Sequence, residues 1–130
     1  MTKIQLPEMV KNYTNQLLGD HAGDSWHSLV ELGPAALPHV IRDFEAQSSS
    51  SAKVALIRVV SEYRTKGALP FFANLLRVAD GEIWKTALDG IISIGGEAAV
   101  NCLHEVSKTL NSEKRPWVDE AVSQITARAG

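Results

Sequence analysis

Apolar residues recur in this chain with a period of 31 residues, and this repeat restricts the possible folds more than any other feature. Two apolar columns, three residues apart, hold Leu29, Val60, Ile91 and Val122, and Leu32, Tyr63, Ile94 and Ile125. Two further columns hold Ile41, Phe72 and Leu103, and Phe44, Leu75 and Val106. Apolar positions spaced by three or four indicate amphipathic helices. Each repeat is therefore predicted to be a pair of helices, A and B.

The repeat predicts an all-α chain of about eight antiparallel helices. The predicted helices are B 6–18, A 23–32, B 35–46, A 51–64, B 68–79, A 81–94, B 97–110 and A 113–128. The chain thus consists of a half repeat at 6–18, repeats at 23–46, 51–79 and 81–110, and a half repeat at 113–128. Both end helices carry an apolar stripe on one side only, so a complete, freestanding solenoid forming a single domain over 1–130 is expected.

Glycine, aspartate and serine residues mark the predicted boundaries. Gly33, Gly67 and the Gly95-Gly96 pair lie where an A helix turns into a B helix, and glycine tolerates the positive φ common at such ends. Asp80 and the last serines of Ser48–Ser51 are predicted to cap the helices that follow them. The serine run is predicted to be a linker, with a phosphorylation cluster as the alternative.

Two segments of the chain share a pattern of glycine, alanine and leucine. Residues 32–40 read LGPAALPHV and residues 94–103 read IGGEAAVNCL. Both resemble the Leu-Gly-x-x-Ala-x-x-x-Leu signature of short bacterial HEAT-like repeats, the class found in phycobilin lyase subunits, and the resemblance extends over residues 6–128. It implies an α-α superhelix, the HEAT-like solenoid. The second repeat has Tyr63–Gly67 in place of Leu-Gly, so a different turn is expected there.

The charge, the cysteine content and the lengths of the apolar runs limit the functions that this chain can have. The 13 basic and 15 acidic side chains give a net charge of -2, which lacks the basic excess typical of a nucleic-acid-binding protein. The single cysteine, Cys102, excludes an internal disulfide. With no signal sequence and no apolar run of membrane-spanning length, the sequence predicts a cytoplasmic protein.

The sequence contains no recognisable catalytic or metal-binding motif, so no enzyme, cofactor or metal site is predicted. The four histidines, His21, His27, His39 and His104, are never three or four residues apart, the spacing that helical metal ligands need. Cys102 shares a column with apolar residues and is predicted to be a small buried side chain. Because Trp26, Trp84 and Trp117 occupy different columns, at least one tryptophan is expected to be partly exposed for binding, although core packing is favoured for each singly.

The resemblance implies that B helices line the concave face of the solenoid. The polar residues of these helices are His39, Arg42, Asp43, Asn74, Arg77, Asn101, His104, Glu105 and Lys108. Such a mixture of both charges suits a protein partner, whereas a merely solvated face is the alternative interpretation. The leading hypothesis is a non-enzymatic adaptor or immunity-type inhibitor that binds another protein, as a monomer or a side-by-side dimer.

Two other functions remain open at this point. The repeat resemblance allows a phycobilin-lyase-like or chaperone-like protein that binds a small ligand. It also allows weak nucleic-acid binding, as in HEAT-like DNA-repair glycosylases, through Arg42, Arg77 and Lys108. Asp43 and Glu105 lie beside these basic residues and reduce the electrostatic drive for such binding.

Overall fold

The structure, a computed structural model, describes residues 5–17 and 22–129. Within these residues it contains eight α-helices and no strand, which confirms the predicted all-helical class. The helices are α1 (Leu6–Leu17), α2 (Ala22–Glu31), α3 (Leu37–Glu45), α4 (Ser50–Tyr63), α5 (Leu69–Leu75), α6 (Gly81–Ile94), α7 (Gly96–Ser107) and α8 (Arg115–Ala129). The predicted helix end at residue 18 and the histidine His21 lie outside the described residues.

The predicted second B helix and third B helix each begin with a short 3-10 turn rather than directly as an α-helix. Residues Pro34–Ala36 precede α3 and residues Lys66–Ala68 precede α5. Pro38 and Pro70 then occupy the first turn of each α-helix, where a missing amide proton costs little. Tight turns of this kind are common at helix ends.

Two glycines at helix junctions adopt backbone angles that only glycine tolerates well. Gly33 has φ 79° and ψ -175°, and Gly95 has φ 65° and ψ -171°. Gly67 lies between α4 and α5, as predicted, but it is inside the 3-10 turn, and the positive φ at this junction, 48°, belongs to Arg64. This junction is therefore built differently, as the departure from Leu-Gly at Tyr63–Gly67 predicts.

Gly33→Ala and Gly95→Ala are each expected to lower the free energy of unfolding by about 1–3 kcal/mol. A Cβ at Gly33 would meet no atom within 4 Å, and at Gly95 it would contact Ile92 O at 3.6 Å, so the cost comes from the backbone. Arg64→Gly should instead be neutral or stabilising, by up to about 1 kcal/mol, because glycine adopts the left-handed backbone conformation of Arg64 without strain. Urea unfolding checks all three variants, and an alanine at Gly33 without effect would contradict the assigned backbone strain.

Both predicted N-caps are present. The Asp80 carboxylate accepts hydrogen bonds from the backbone N–H groups of Glu82 and Ile83, at 3.0 and 3.2 Å. Ser49 Oγ accepts from the backbone N–H of Ala52 at 3.1 Å. These side chains supply acceptors to donors that have no partner within the first turn of a helix. α6 begins at Gly81, as predicted, and α4 begins at Ser50, one residue before its predicted start.

The helices form two compact units, α1–α4 and α5–α8, with the boundary between Tyr63 and Arg64. In the first unit α1 packs against α2 and α3, while α4 packs against α2 and α3. The core of this unit includes Val10, Leu29, Val40, Ile57 and Val60, all fully buried. Tyr63, also buried, donates a hydrogen bond of 2.7 Å from its hydroxyl to the carbonyl oxygen of Leu29. This bond ties the end of α4 to the last turn of α2.

In the second unit α5 packs against α6 and α7, and α8 packs against α6 and α7. Its fully buried residues include Phe72, Ala87, Ile91 and Leu103, one from each of α5 and α7 and two from α6. Each helix of this unit therefore packs against at least two others around a shared core.

A buried lysine ends α5 earlier than the sequence predicts. The helix stops at Leu75 rather than at Ala79, and Lys114, only 6% exposed, donates from Nζ to the carbonyl oxygens of Leu76 at 2.8 Å and Val78 at 2.6 Å. These carbonyls follow the last turn of α5, where a cation is favoured by the helix dipole. Burial lowers the pKa of Lys114, and the nearby Glu113 carboxylate partly opposes this.

Candidate functional site

Six of the nine predicted binding residues lie in the second unit, and all six are exposed. Asn74 lies on α5 and Arg77 just after it, whereas the other four lie on or directly after α7. They are Asn74, Arg77, Asn101, His104, Glu105 and Lys108. Because α5 packs against α7, these residues occupy neighbouring helices, and we call them the α5/α7 surface.

One hydrogen bond joins the ends of the two helices at the α5/α7 surface. Arg77 Nη2 donates to the hydroxyl of Thr109 at 3.0 Å, and Arg77 Nη1 is 3.5 Å from Ala73 O. Lys108 Nζ lies 3.0 Å from Glu105 Oε1, but both side chains are well exposed, so this ion pair adds little stability. The Arg77 guanidinium is thus oriented by a neighbouring helix, while Lys108 is held by its own.

Thr109 is a member of this arrangement that the sequence did not single out. It lies one position after Lys108, which is one repeat period after Arg77. The 31-residue shift in the sequence points from Arg77 to the neighbourhood of Thr109, but the bond itself depends on the reach of the Arg77 side chain.

Cys102 lies on α7 near this surface and is partly buried. Burial raises the pKa of its thiol, and the Arg77 guanidinium lowers it by a smaller amount. A thiol with a raised pKa is mostly protonated at neutral pH and is a weak nucleophile. For Cys102, burial therefore outweighs the one nearby cation that favours the thiolate.

The remaining three predicted binding residues lie on α3 in the first unit and differ in exposure. Arg42 is exposed and His39 is partly exposed, but Asp43 is only 7% exposed. Asp43 was predicted on the polar, partner-binding face of α3, but it follows Val40 by three residues and precedes Phe44, and both are buried. Residues at this spacing share one face of a helix, so Asp43 lies on the buried face of α3.

A cleft of about 390 Å³ lies between α1 and α3. Its lining residues are Pro7, Glu8, Lys11, Arg42, Asp43 and Ala46. Asp43 Oδ1 is 3.8 Å from Arg42 Nη2, and Asp43 Oδ2 is shielded from solvent without a hydrogen-bond partner among the described residues. A buried carboxylate oxygen in this condition is unusual in folded proteins.

The tryptophans separate into buried and exposed positions. Trp117, on α8, is 48% exposed and is the only large apolar side chain that the described part of the chain exposes. Trp84 is 5% exposed and meets Trp117 edge to face, with ring centroids 5.6 Å apart. Lys85 Nζ lies 4.5 Å from the centroid of the Trp117 ring. Trp26 is partly exposed and contacts the ring of His27. Trp117 is therefore the tryptophan most available to a partner.

Residues 5–17 and 22–129 contain no group of three or more histidine, cysteine, aspartate or glutamate side chains placed to hold a metal ion. Within the same ranges, no helix combines the length and the apolar character needed to cross a bilayer.

Comparison of the chain with protein-family models, with curated proteins and with solved structures found no match.

Proposed function

We propose that this chain is a non-enzymatic protein-binding module and that the α5/α7 surface contacts its partner. The observation that carries the proposal is the exposure of all six predicted polar residues of this unit on two helices that pack together. Arginine is enriched at energetic hot spots of protein interfaces. Arg77, whose guanidinium is oriented by Thr109, is the residue expected to contribute most.

The charges of the α5/α7 surface favour a protein over a nucleic acid. Lys108 is paired with Glu105 on the same surface, which leaves Arg77 as its main cation. Nucleic-acid affinity grows with the number of phosphates that cations neutralise, so one or two cations give weak binding. A surface with both charges and amide groups instead provides the complementary contacts that make protein recognition specific.

The proposal includes the repeat architecture implied by the sequence. Three members of one predicted column, Leu29, Val60 and Ile91, are fully buried, and so are Phe72 and Leu103 of another. This burial supports a 31-residue repeat of the short HEAT-like kind. On that basis we propose a cytoplasmic adaptor or immunity-type inhibitor. His39 and Arg42 of α3, in the first unit, remain proposed partner contacts of that unit. Asp43 is excluded from these contacts because it is buried.

The test is the capture of a partner by the whole chain from a lysate of the cells that produce it, followed by calorimetry with the purified partner. Arg77→Ala combined with His104→Ala is expected to weaken binding by about tenfold or more. Both side chains are exposed, so the helical content measured by circular dichroism should not change.

A matched control is Arg58→Ala combined with Glu62→Ala, two exposed residues of α4. This variant should bind as the wild type does. Unchanged binding by the Arg77 and His104 variant would contradict the assigned surface, and loss of binding on Trp117→Ala alone would place the interface on α8 instead. Failure to retain any protein would contradict the protein-binding proposal itself.

A further inference from the structure

The cleft between α1 and α3 contains an acid that the fold leaves unsatisfied. Only two buried side-chain polar atoms lack a hydrogen-bond partner among the described residues, Thr14 Oγ1 and Asp43 Oδ2, and only the second belongs to an acid. Burying a carboxylate without donors is strongly unfavourable. A residue that costs stability in this way, at the wall of a cleft, indicates that a donor is supplied from outside the fold.

We propose that this cleft binds a cationic group, a primary ammonium or a guanidinium, against the Asp43 carboxylate. Glu8 lies on the α1 side of the same cleft and adds a second negative charge. Ala46, the C-cap residue of α3, also lines the cleft, and the negative end of the helix dipole lies there. Pro7 and Glu8 belong to the first turn of α1, so the positive end of that helix also lies at the cleft. The sign of the ligand is therefore assigned from Asp43, whose buried oxygen lacks a donor.

Two basic side chains line the cleft, and they are the internal competitors of such a ligand. Arg42 Nη2 lies 3.8 Å from Asp43 Oδ1, which is beyond hydrogen-bonding distance, and its side chain is 56% exposed. Lys11 is also exposed. The Arg42 side of this ion pair is exposed and makes no hydrogen bond to Asp43, so an incoming cation that reaches hydrogen-bonding distance can displace the Arg42 guanidinium toward solvent.

The volume of the cleft and its apolar lining residues favour a cation carried on a short aliphatic chain. A volume of about 390 Å³ is at the small end of the range for ligand sites. Pro7 and Ala46 provide apolar contacts for methylene groups. Such a group belongs either to a free alkylamine or alkylguanidine, or to a lysine or arginine side chain of a protein. The inference does not depend on the α5/α7 surface, which belongs to the other unit.

The test is a titration of the full-length chain, followed by ¹H–¹⁵N correlation spectra at constant ionic strength. The probes are n-butylammonium chloride, n-butylguanidinium chloride and, as the neutral isostere, n-butanol. Saturable shifts of the Glu8, Lys11 and Ala46 amides are expected with the two cations and not with n-butanol. A lysine within a short glycine peptide distinguishes the sources: binding at least as strong as that of butylammonium indicates a protein side chain, and weaker binding indicates a free amine.

Two substitutions in the cleft should act in opposite directions. Asp43→Asn is expected to weaken cation binding by about tenfold or more, because it removes the charge that anchors the ligand. Arg42→Gln should tighten binding, because it removes the internal competitor. Glu45→Gln, which neutralises an exposed carboxylate on the same helix, should leave binding unchanged.

The stability of the variants provides a second readout. Asp43→Asn should melt at the same temperature as the wild type or higher, since an uncompensated charge is lost. Equal responses to the cations and n-butanol, wild-type binding by Asp43→Asn, or weaker binding by Arg42→Gln would each overturn the proposal. Because Arg42 is exposed, that last outcome can be read even if Asp43→Asn does not fold.

Discussion

Lys114→Met is expected to lower the free energy of unfolding by about 1–3 kcal/mol or somewhat more, since a buried carbonyl left without a donor costs about that much and a partly buried one costs less. The carbonyls are those of Leu76 and Val78, which accept from Lys114 Nζ at 2.8 and 2.6 Å. Methionine keeps a long aliphatic stem in the same space, so the loss reports the ammonium group and not a cavity. Urea unfolding monitored by circular dichroism gives the change.

Lys85→Met is the matched control for this substitution. Lys85 belongs to the same group of lysine and tryptophan side chains, with Nζ 4.5 Å from the Trp117 centroid, but it is exposed. An exposed cation over an aromatic ring contributes about 0.5–1 kcal/mol. If Lys85→Met destabilised the chain as much as Lys114→Met, the carbonyl contacts of Lys114 would not be the cause.

A loss of about 2 kcal/mol of stability is expected between pH 10 and pH 12, from the single hydroxyl of Tyr63. Burial raises the pKa of Tyr63 from 10.0 to about 12. The folded chain therefore holds this proton more tightly than the unfolded chain does. The stabilisation is complete below pH 10 and disappears as the pH rises through the folded pKa. Urea unfolding at a series of alkaline pH values measures the slope.

Tyr63→Phe should remove this slope and also the 2.7 Å hydrogen bond to Leu29 O. Lys114 has a lowered pKa, so its contribution to stability rises with pH up to its ordinary pKa of 10.5, opposite to that of Tyr63. Subtracting the pH profile of the variant from that of the wild type removes the Lys114 contribution. Tyr13→Phe, which retains Tyr63, should keep the alkaline loss. An identical pH profile for wild type and Tyr63→Phe would show that the hydroxyl is not buried.

Much of the local structure could be predicted because its causes are local. The N-cap at Asp80 depends on residues two and three positions later, and the turns at Gly33 and Gly95 depend on the backbone freedom of one residue. The apolar columns place Val60 and Ile91 in the core for a similar reason. A residue's own position in a helical period determines which side of the helix it occupies.

Other features depend on contacts between residues far apart in sequence, and these could not be predicted. Lys114 is buried because carbonyls after α5, more than thirty residues earlier, accept from it. Asp43 was predicted on the partner-binding face, yet it lies on the buried face of α3 together with Val40 and Phe44. Arg64 takes the left-handed conformation that Gly67 was expected to supply. A charged side chain in a sequence gives no direct sign of such burial, because most lysines and aspartates are exposed.

The positions of the three tryptophans provide a built-in optical assay of the fold. Trp26 lies in α2 of the first unit, whereas Trp84 and Trp117 lie together in the second. Fluorescence of a Trp26→Phe variant therefore follows only the second unit, and near-ultraviolet circular dichroism of the edge-to-face indole pair reports whether α6 and α8 remain packed. Without any attached dye, one chain can show whether its two halves melt in one transition or in two.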